Sequence, residues 1–183
     1  PKSKEFLHAL GDFFESLGGA FLTGVDMGLS LEDAKIIAER TKYIFNSKGC
    51  SGTTTAHGVF KGIKETVLYA LGKANLAGVS VAVQGIGNVG STLVDLLLAE
   101  GAKVFIADVE PSKLEKYADV ATIVSNDEIH RIPCDVFAPC AVGEIINDAT
   151  ITELRCKIIA GGANNQLKDE TEHAKKLHEM GIL

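Results

Sequence analysis

The stretch Val81–Gly90, VAVQGIGNVG, decides the fold. Four mainly apolar residues run into Gly85, Gly87 and Gly90, spaced G-x-G-x-x-G. The pattern alone is weak evidence. Here it closes a predicted strand and opens a predicted helix, and that context gives each glycine a task. Gly85 permits a tight turn, Gly87 lets the backbone approach a diphosphate, and Gly90 lets helix and strand pack closely. The N–H groups opening the helix, from Asn88 through Val89 to Ser91, then face an anion, and Ile86 lies within the turn.

The next predicted strand, KVFIADV, carries Asp108, 23 positions after Gly85. An acid there accepts hydrogen bonds from the ribose hydroxyls of an adenosine and repels a 2′-phosphate. That favours NAD over NADP, with Val109 beside the same sugar. A turn-forming aspartate is the plainer alternative. FAD uses a similar loop in different surroundings.

Around this centre the pattern alternates. Predicted strands are VSVAVQG, KVFIADV, VATIVS, CDVFAPC and CKIIAGG. Helices are expected near 88–100, 111–117 and 169–180, with a short turn near 143–146. Nearly continuous apolar strands separated by helices define an α/β class with a doubly wound, Rossmann-like parallel sheet.

Upstream, Ser3 caps an amphipathic helix ended by Gly18 and Gly19. AFLTG reads as a short strand. Ser30 and Asp33 form a capping box for a helix from Leu31 to about Tyr43. The polar run NSKGCSGTTT, 46–55, reads as a linker, and we place the domain boundary there: 1–50 end a preceding α/β domain, and 51–183 form the dinucleotide domain. A helix from about Thr54 to Leu71 contains Gly58 and Gly62, a spacing expected to pack closely on a neighbour or, failing that, to admit a ligand.

The 183 residues, 46% hydrophobic with formal charge −6, suit one full domain plus part of another. The acidic balance argues against nucleic-acid and acidic-membrane partners. No apolar run reaches the roughly 18 residues of a bilayer span. Cys50, Cys134, Cys140 and Cys156 form no C-x-x-C pair, so reduced thiols in a cytoplasmic protein are expected rather than a metal site.

Three further stretches bear on the chemistry. TGVDMG sets Asp26 between a strand and a helix, where it is either a proton shuttle or a turn residue. APCAVGEIIN, with Cys140 and Ala141, follows the fourth strand. GGANNQL, with Asn164 and Asn165, follows the fifth. Both lie at the carboxyl ends of strands, where an open α/β sheet binds its ligand.

Together, TGVDMG, TAHGVFKGIK, VAVQGIGNVG, CDVFAPCAVGEIIND and IIAGGANNQLKDE resemble, in order and over nearly the whole chain, the amino acid dehydrogenases that act on glutamate, leucine, phenylalanine and valine. ANNQL looks like the leucine/phenylalanine/valine branch, and leucine dehydrogenase above all. The resemblance implies reversible, NAD-dependent oxidative deamination of an apolar L-amino acid to a 2-oxo acid and ammonia. It implies that Asp26 is catalytic, that Thr55 touches the cofactor, that Gly85–Ser91 hold the pyrophosphate and Asp108 the ribose. The Cys140–Ala141 and Asn164–Asn165 loops would flank the nicotinamide. It also implies a homo-oligomer for the full-length protein.

The family's two lysines, one polarising the substrate carbonyl and one binding the carboxylate, fall before the position of Pro1. The chain therefore reads as an internal fragment, expected to bind NAD weakly and not to turn over. Ser51, Gly52 and Thr53 replace a more rigid family segment, so a flexible loop is expected before Thr55. Ala20 and Leu29 also depart from the family pattern. Two other readings stay open: a different NAD-linked dehydrogenase on this scaffold, and a non-catalytic NAD-binding module.

Overall fold

A computed structural model describes residues 2–26, 28–45 and 51–183, Ser51 by its backbone alone. The chain forms two compact units, Pro1–Ser51 and Gly52–Leu183.

In the first unit, α1 spans Lys4–Ser16 and α2 spans Leu31–Ala38. Ser3 Oγ accepts the Phe6 N–H, and Ser30 and Asp33 form the reciprocal box expected of them. Such a cap contributes about 0.5–2 kcal/mol. Leu7, Ala34, Ile37 and Ile44 form the core between the helices. Helix α2 ends well before Tyr43. The Tyr43 N–H donates to Thr41 Oγ1, and the chain then extends to exchange backbone hydrogen bonds with Thr23. The strand expected over AFLTG reduces to this single bridge, Thr23 with Ile44.

Helix α3 spans Ser51–Leu71 and from Gly52 onward belongs to the second unit. The expected linker lies outside the described residues as far as residue 50, as does Cys50; from Ser51 onward the backbone is helical rather than a loop. Ala56, Ile63 and Val67 bury one stripe of α3. Gly58 and Gly62 are exposed, and a Cβ on either would meet nothing within 4 Å among the described residues. The close packing expected of that pair is therefore absent, because the apolar stripe sits on another face of the helix.

Five parallel strands follow: β1 Ser80–Gln84, β2 Lys103–Ala107, β3 Thr122–Ile123, β4 Val136–Pro139 and β5 Ile158–Ile159. Their order is β3-β2-β1-β4-β5, with Gln84 opposite Ala107 on one side and Pro139 on the other. The order reverses at β1, which puts the ligand crevice beyond the ends of β1 and β4. Val81 and Val83 face the core shared with α3 and α4, Asn88–Ala99. Ala82 faces a second core with Phe137, Ile129, Ile146 and Ile151. Each fully buried Val, Leu or Ile stabilises by about 1.5–3 kcal/mol.

The helix expected over Pro111–Tyr117 is two 3₁₀ turns, Pro111–Lys113 and Glu115–Tyr117. The tighter winding sets Leu114 and Tyr117, three apart, on one buried side. Tyr117 then donates its hydroxyl to the Ser91 carbonyl. The last helix, α5, spans Glu170–Glu179 with Asp169 as its N-cap. Beyond it Leu183 exchanges backbone hydrogen bonds with Lys157 and Ile159, extending the pairing at the β5 edge. No helix among the described residues is long and apolar enough to cross a membrane.

Candidate functional site

Gly85 has φ +91°, a conformation that side chains other than glycine rarely adopt. A Cβ there would also lie 2.7 Å from the Ala141 Cβ. Gly90 packs onto the loop itself: its Cβ would fall 1.8 Å from the Gly85 carbonyl oxygen. Gly87, the N-cap of α4, is exposed, and its Cβ would meet nothing within 4 Å among the described residues. One glycine makes the turn, one closes helix onto strand, and the one between leaves open space above its backbone. Among the described residues, no side chain caps α4. The amides of Asn88, Val89 and Gly90 in its first turn can therefore meet an anion. This corner fits a dinucleotide diphosphate.

Asp108 closes the loop from the side. Its Oδ2 accepts the Ile86 N–H at 2.6 Å and its Oδ1 accepts the Glu110 N–H at 2.9 Å. A carboxylate has about four acceptor positions, so capacity remains for ribose hydroxyls. Val109 beside it is 82% exposed, an apolar surface open to a flat ring. Lys113 Nζ lies 2.6 Å from Glu110 Oε2, and that hydrogen bond is the main reason its ammonium is held above the usual lysine range.

On the other side of the switch point, the Cys140 N–H donates to the Gln84 carbonyl at 2.7 Å. The Cys140 thiol is pushed up to about 11 by burial, against a smaller opposing hydrogen bond from the Gly162 backbone. It is a neutral packing group at neutral pH, not a nucleophile. The loops after β4 and β5 are laced together. Glu144 N–H donates to the Asn165 carbonyl, Ile146 N–H to Gln166, and Lys168 N–H to Ile146. Asn164 and Asn165 are exposed, and Asn165 Oδ1 rests directly over Gly143. Glu144 has φ +62° in the same turn.

Gly161 and Gly162, which open GGANNQL, allow a close approach. Their close neighbours are protein atoms, the Pro139 carbonyl and the Val89 side chain.

Thr55 is exposed near the start of α3. That start abuts the glycine loop's helix, since a Cβ on Gly52 would lie 2.8 Å from the Asn88 Cβ. Asp26 belongs to the first unit. It is exposed, and its carbonyl accepts the Leu29 N–H. Met27 of the same motif lies outside the described residues. The second unit thus brings together Gly85–Ser91, Asp108, Cys140–Ala141 and the loop holding Asn165.

Beside these loops lie Gln84, Glu110, Lys113 and Gly143, which sequence reasoning did not single out. Gln84 is 4% exposed, and its Oε1 has no hydrogen-bond partner among the described residues. A lone amide at the end of an apolar strand was the available signal. Among the described residues, no group of three or more His, Cys, Asp or Glu is placed to hold a metal.

Residues 106–183 match the profile of the Glutamate/Leucine/Phenylalanine/Valine dehydrogenase family. Over its full length the chain is 42% identical to leucine dehydrogenase from Thermoactinomyces intermedius, covering 52% of that protein. It is 40% identical to phenylalanine dehydrogenase from Lysinibacillus sphaericus, covering 51%. The structure of L-tryptophan dehydrogenase from Nostoc punctiforme superposes with a TM-score of 0.77 at 41% identity, over 99% of this chain and 53% of that one. Hetero-hexameric glutamate dehydrogenase from Thermus thermophilus shares the fold, with a TM-score of 0.71 at 15% identity. Residues 106–183 thus carry the family's profile, and the chain as a whole is similar to amino acid dehydrogenases. It spans about half the length of the curated relatives it matches.

Proposed function

We propose that this chain is the dinucleotide-binding half, with part of the catalytic domain, of an NAD-dependent dehydrogenase. The enzyme would convert an apolar, leucine-like L-amino acid reversibly to its 2-oxo acid and ammonia. The observation that carries the cofactor reading is the Asp108 carboxylate tied to the Ile86 amide, which fixes an acid at the lip of the glycine loop. The substrate class rests on the leucine and phenylalanine dehydrogenase relatives.

In this reading the first turn of α4 and the Gly87 backbone hold the pyrophosphate, and Asp108 and Val109 the adenosine end. Thr55, Cys140, Ala141, Asn164 and Asn165 border the nicotinamide. The Asn amides offer both donors and acceptors to its ribose and carboxamide. Bound NAD supplies the hydride acceptor. Asp26 acts as general base and acid, taking a proton from the attacking water and returning one to the departing amine. The whole enzyme would be a cytoplasmic homo-oligomer acting on small molecules.

Titration of the chain with NAD⁺ and NADP⁺ by calorimetry tests the cofactor assignment, with Asp108→Ala alongside. The expected result is a preference for NAD⁺ that the variant loses. An unchanged preference removes Asp108 from the site.

A further inference from the structure

Asp108 does not stand alone at the end of β2. Lys113 Nζ lies 3.7 Å from Asp108 Oδ1 and 2.6 Å from Glu110 Oε2. The three side chains differ in freedom. Asp108 is 8% exposed and pinned by two backbone amides, whereas Lys113 is 41% and Glu110 57% exposed. Lys113 ends the 3₁₀ turn that Pro111 begins, so its backbone stays put while its ammonium can swing. Two carboxylates face one ammonium here.

We infer that Glu110 is a specificity-determining residue: by engaging Lys113 it withholds a cation from any 2′-phosphate, and so enforces NAD over NADP together with Asp108. The inference rests on the dinucleotide reading above and names what sets the choice within it. A phosphate monoester carries about −1.5 to −2 charges at neutral pH and pairs readily with a lysine ammonium. A group held by Asp108 also comes within reach of Lys113, which already touches both acids. With Glu110 in place the ammonium is engaged and the corner stays net negative. With Glu110 neutral the ammonium keeps only its longer contact to Asp108, and the two remaining charges cancel. Glu110 is also the cleaner probe, since removing Asp108 breaks the hydrogen bond that shapes the loop.

The test is calorimetric titration of NAD⁺ and NADP⁺ into the wild-type chain, Glu110→Gln, Lys113→Met and the double variant. Glu110→Gln should tighten NADP⁺ binding about three- to fivefold, the upper part of the range of an exposed ion pair, and leave NAD⁺ within about twofold. The gain should shrink in about 0.5 M salt and vanish in the double variant. No gain for NADP⁺, or a gain that survives without Lys113, overturns the inference while NAD⁺ binding stands. Failure of the wild-type chain to bind either nucleotide overturns the dinucleotide reading and this inference with it.

Discussion

The α-carbon of Gly90 sits so near the carbonyl of Gly85 that a methyl group on it would lie 1.8 Å from the oxygen. The clash is with backbone at the junction of β1 and α4, where neither side can yield without opening the sheet. Gly90→Ala should therefore destabilise the second unit by about 1–3 kcal/mol or more. Gly87→Ala meets open space at an ordinary backbone angle, φ −81°. Its cost should stay at about 1 kcal/mol, the scale of a poorer N-cap, while NAD⁺ affinity should fall because the methyl would stand in the proposed diphosphate site. Thermal unfolding and calorimetry on both variants separate the two roles. Equal destabilisation by both would contradict the division of labour.

Gly143 presents the opposite kind of contact. A Cβ there would fall 1.7 Å from Asn165 Oδ1, the far end of a side chain that can turn away. Gly143→Ala should unfold at nearly the wild-type temperature yet bind NAD⁺ more weakly, since the displaced amide is one assigned to the nicotinamide side. Asn165→Ala should reproduce the binding loss without the clash. If Gly143→Ala binds normally, the Asn165 amide has no part in holding the cofactor.

Burial pushes the Cys134 thiol up to about 12 and those of Cys140 and Cys156 up to about 11. At pH 8 the thiolate is then about one part in a thousand or less of each. Peptide mass spectrometry after iodoacetamide treatment should find all three unmodified until denaturant is added. Rapid native labelling of Cys140 would sink its assignment as a packing group.

The sequence made legible whatever depends on local chemistry. Ser3 and Ser30 mark helix starts because a hydroxyl accepts an amide two or three residues on, whatever lies around it. The glycine loop is readable because tight turn, approach and packing each exclude a side chain at a fixed position. What escaped depends on contacts between segments distant in the chain. Helix α2 stops at Ala38, and a few residues on the chain pairs with Thr23, which no window around Arg40 contains. Gly58 and Gly62 look like a packing pair, yet the buried stripe of α3 runs through Ala56, Ile63 and Val67 instead. Gly161 and Gly162 announce a close approach without saying that Pro139 and Val89 make it.

The capping box of α2 makes the first unit sensitive to acid. Asp33 accepts hydrogen bonds from the Lys2 ammonium and the Ser30 amide, each at 2.9 Å. These, the Lys2 contact foremost, hold its carboxyl down to about 2. A carboxyl whose folded pKa lies below its unfolded value stabilises fully above the unfolded value, about 3.9, and loses that contribution as pH falls through the folded one. The loss should therefore run from about pH 4 down to about pH 2. Helicity and unfolding temperature, followed by circular dichroism across that window, should fall more steeply for wild type than for Asp33→Asn. The variant lacks the titrating group and should start lower at pH 7. Parallel curves for the two proteins would show that Asp33 does not couple acid to the stability of α2.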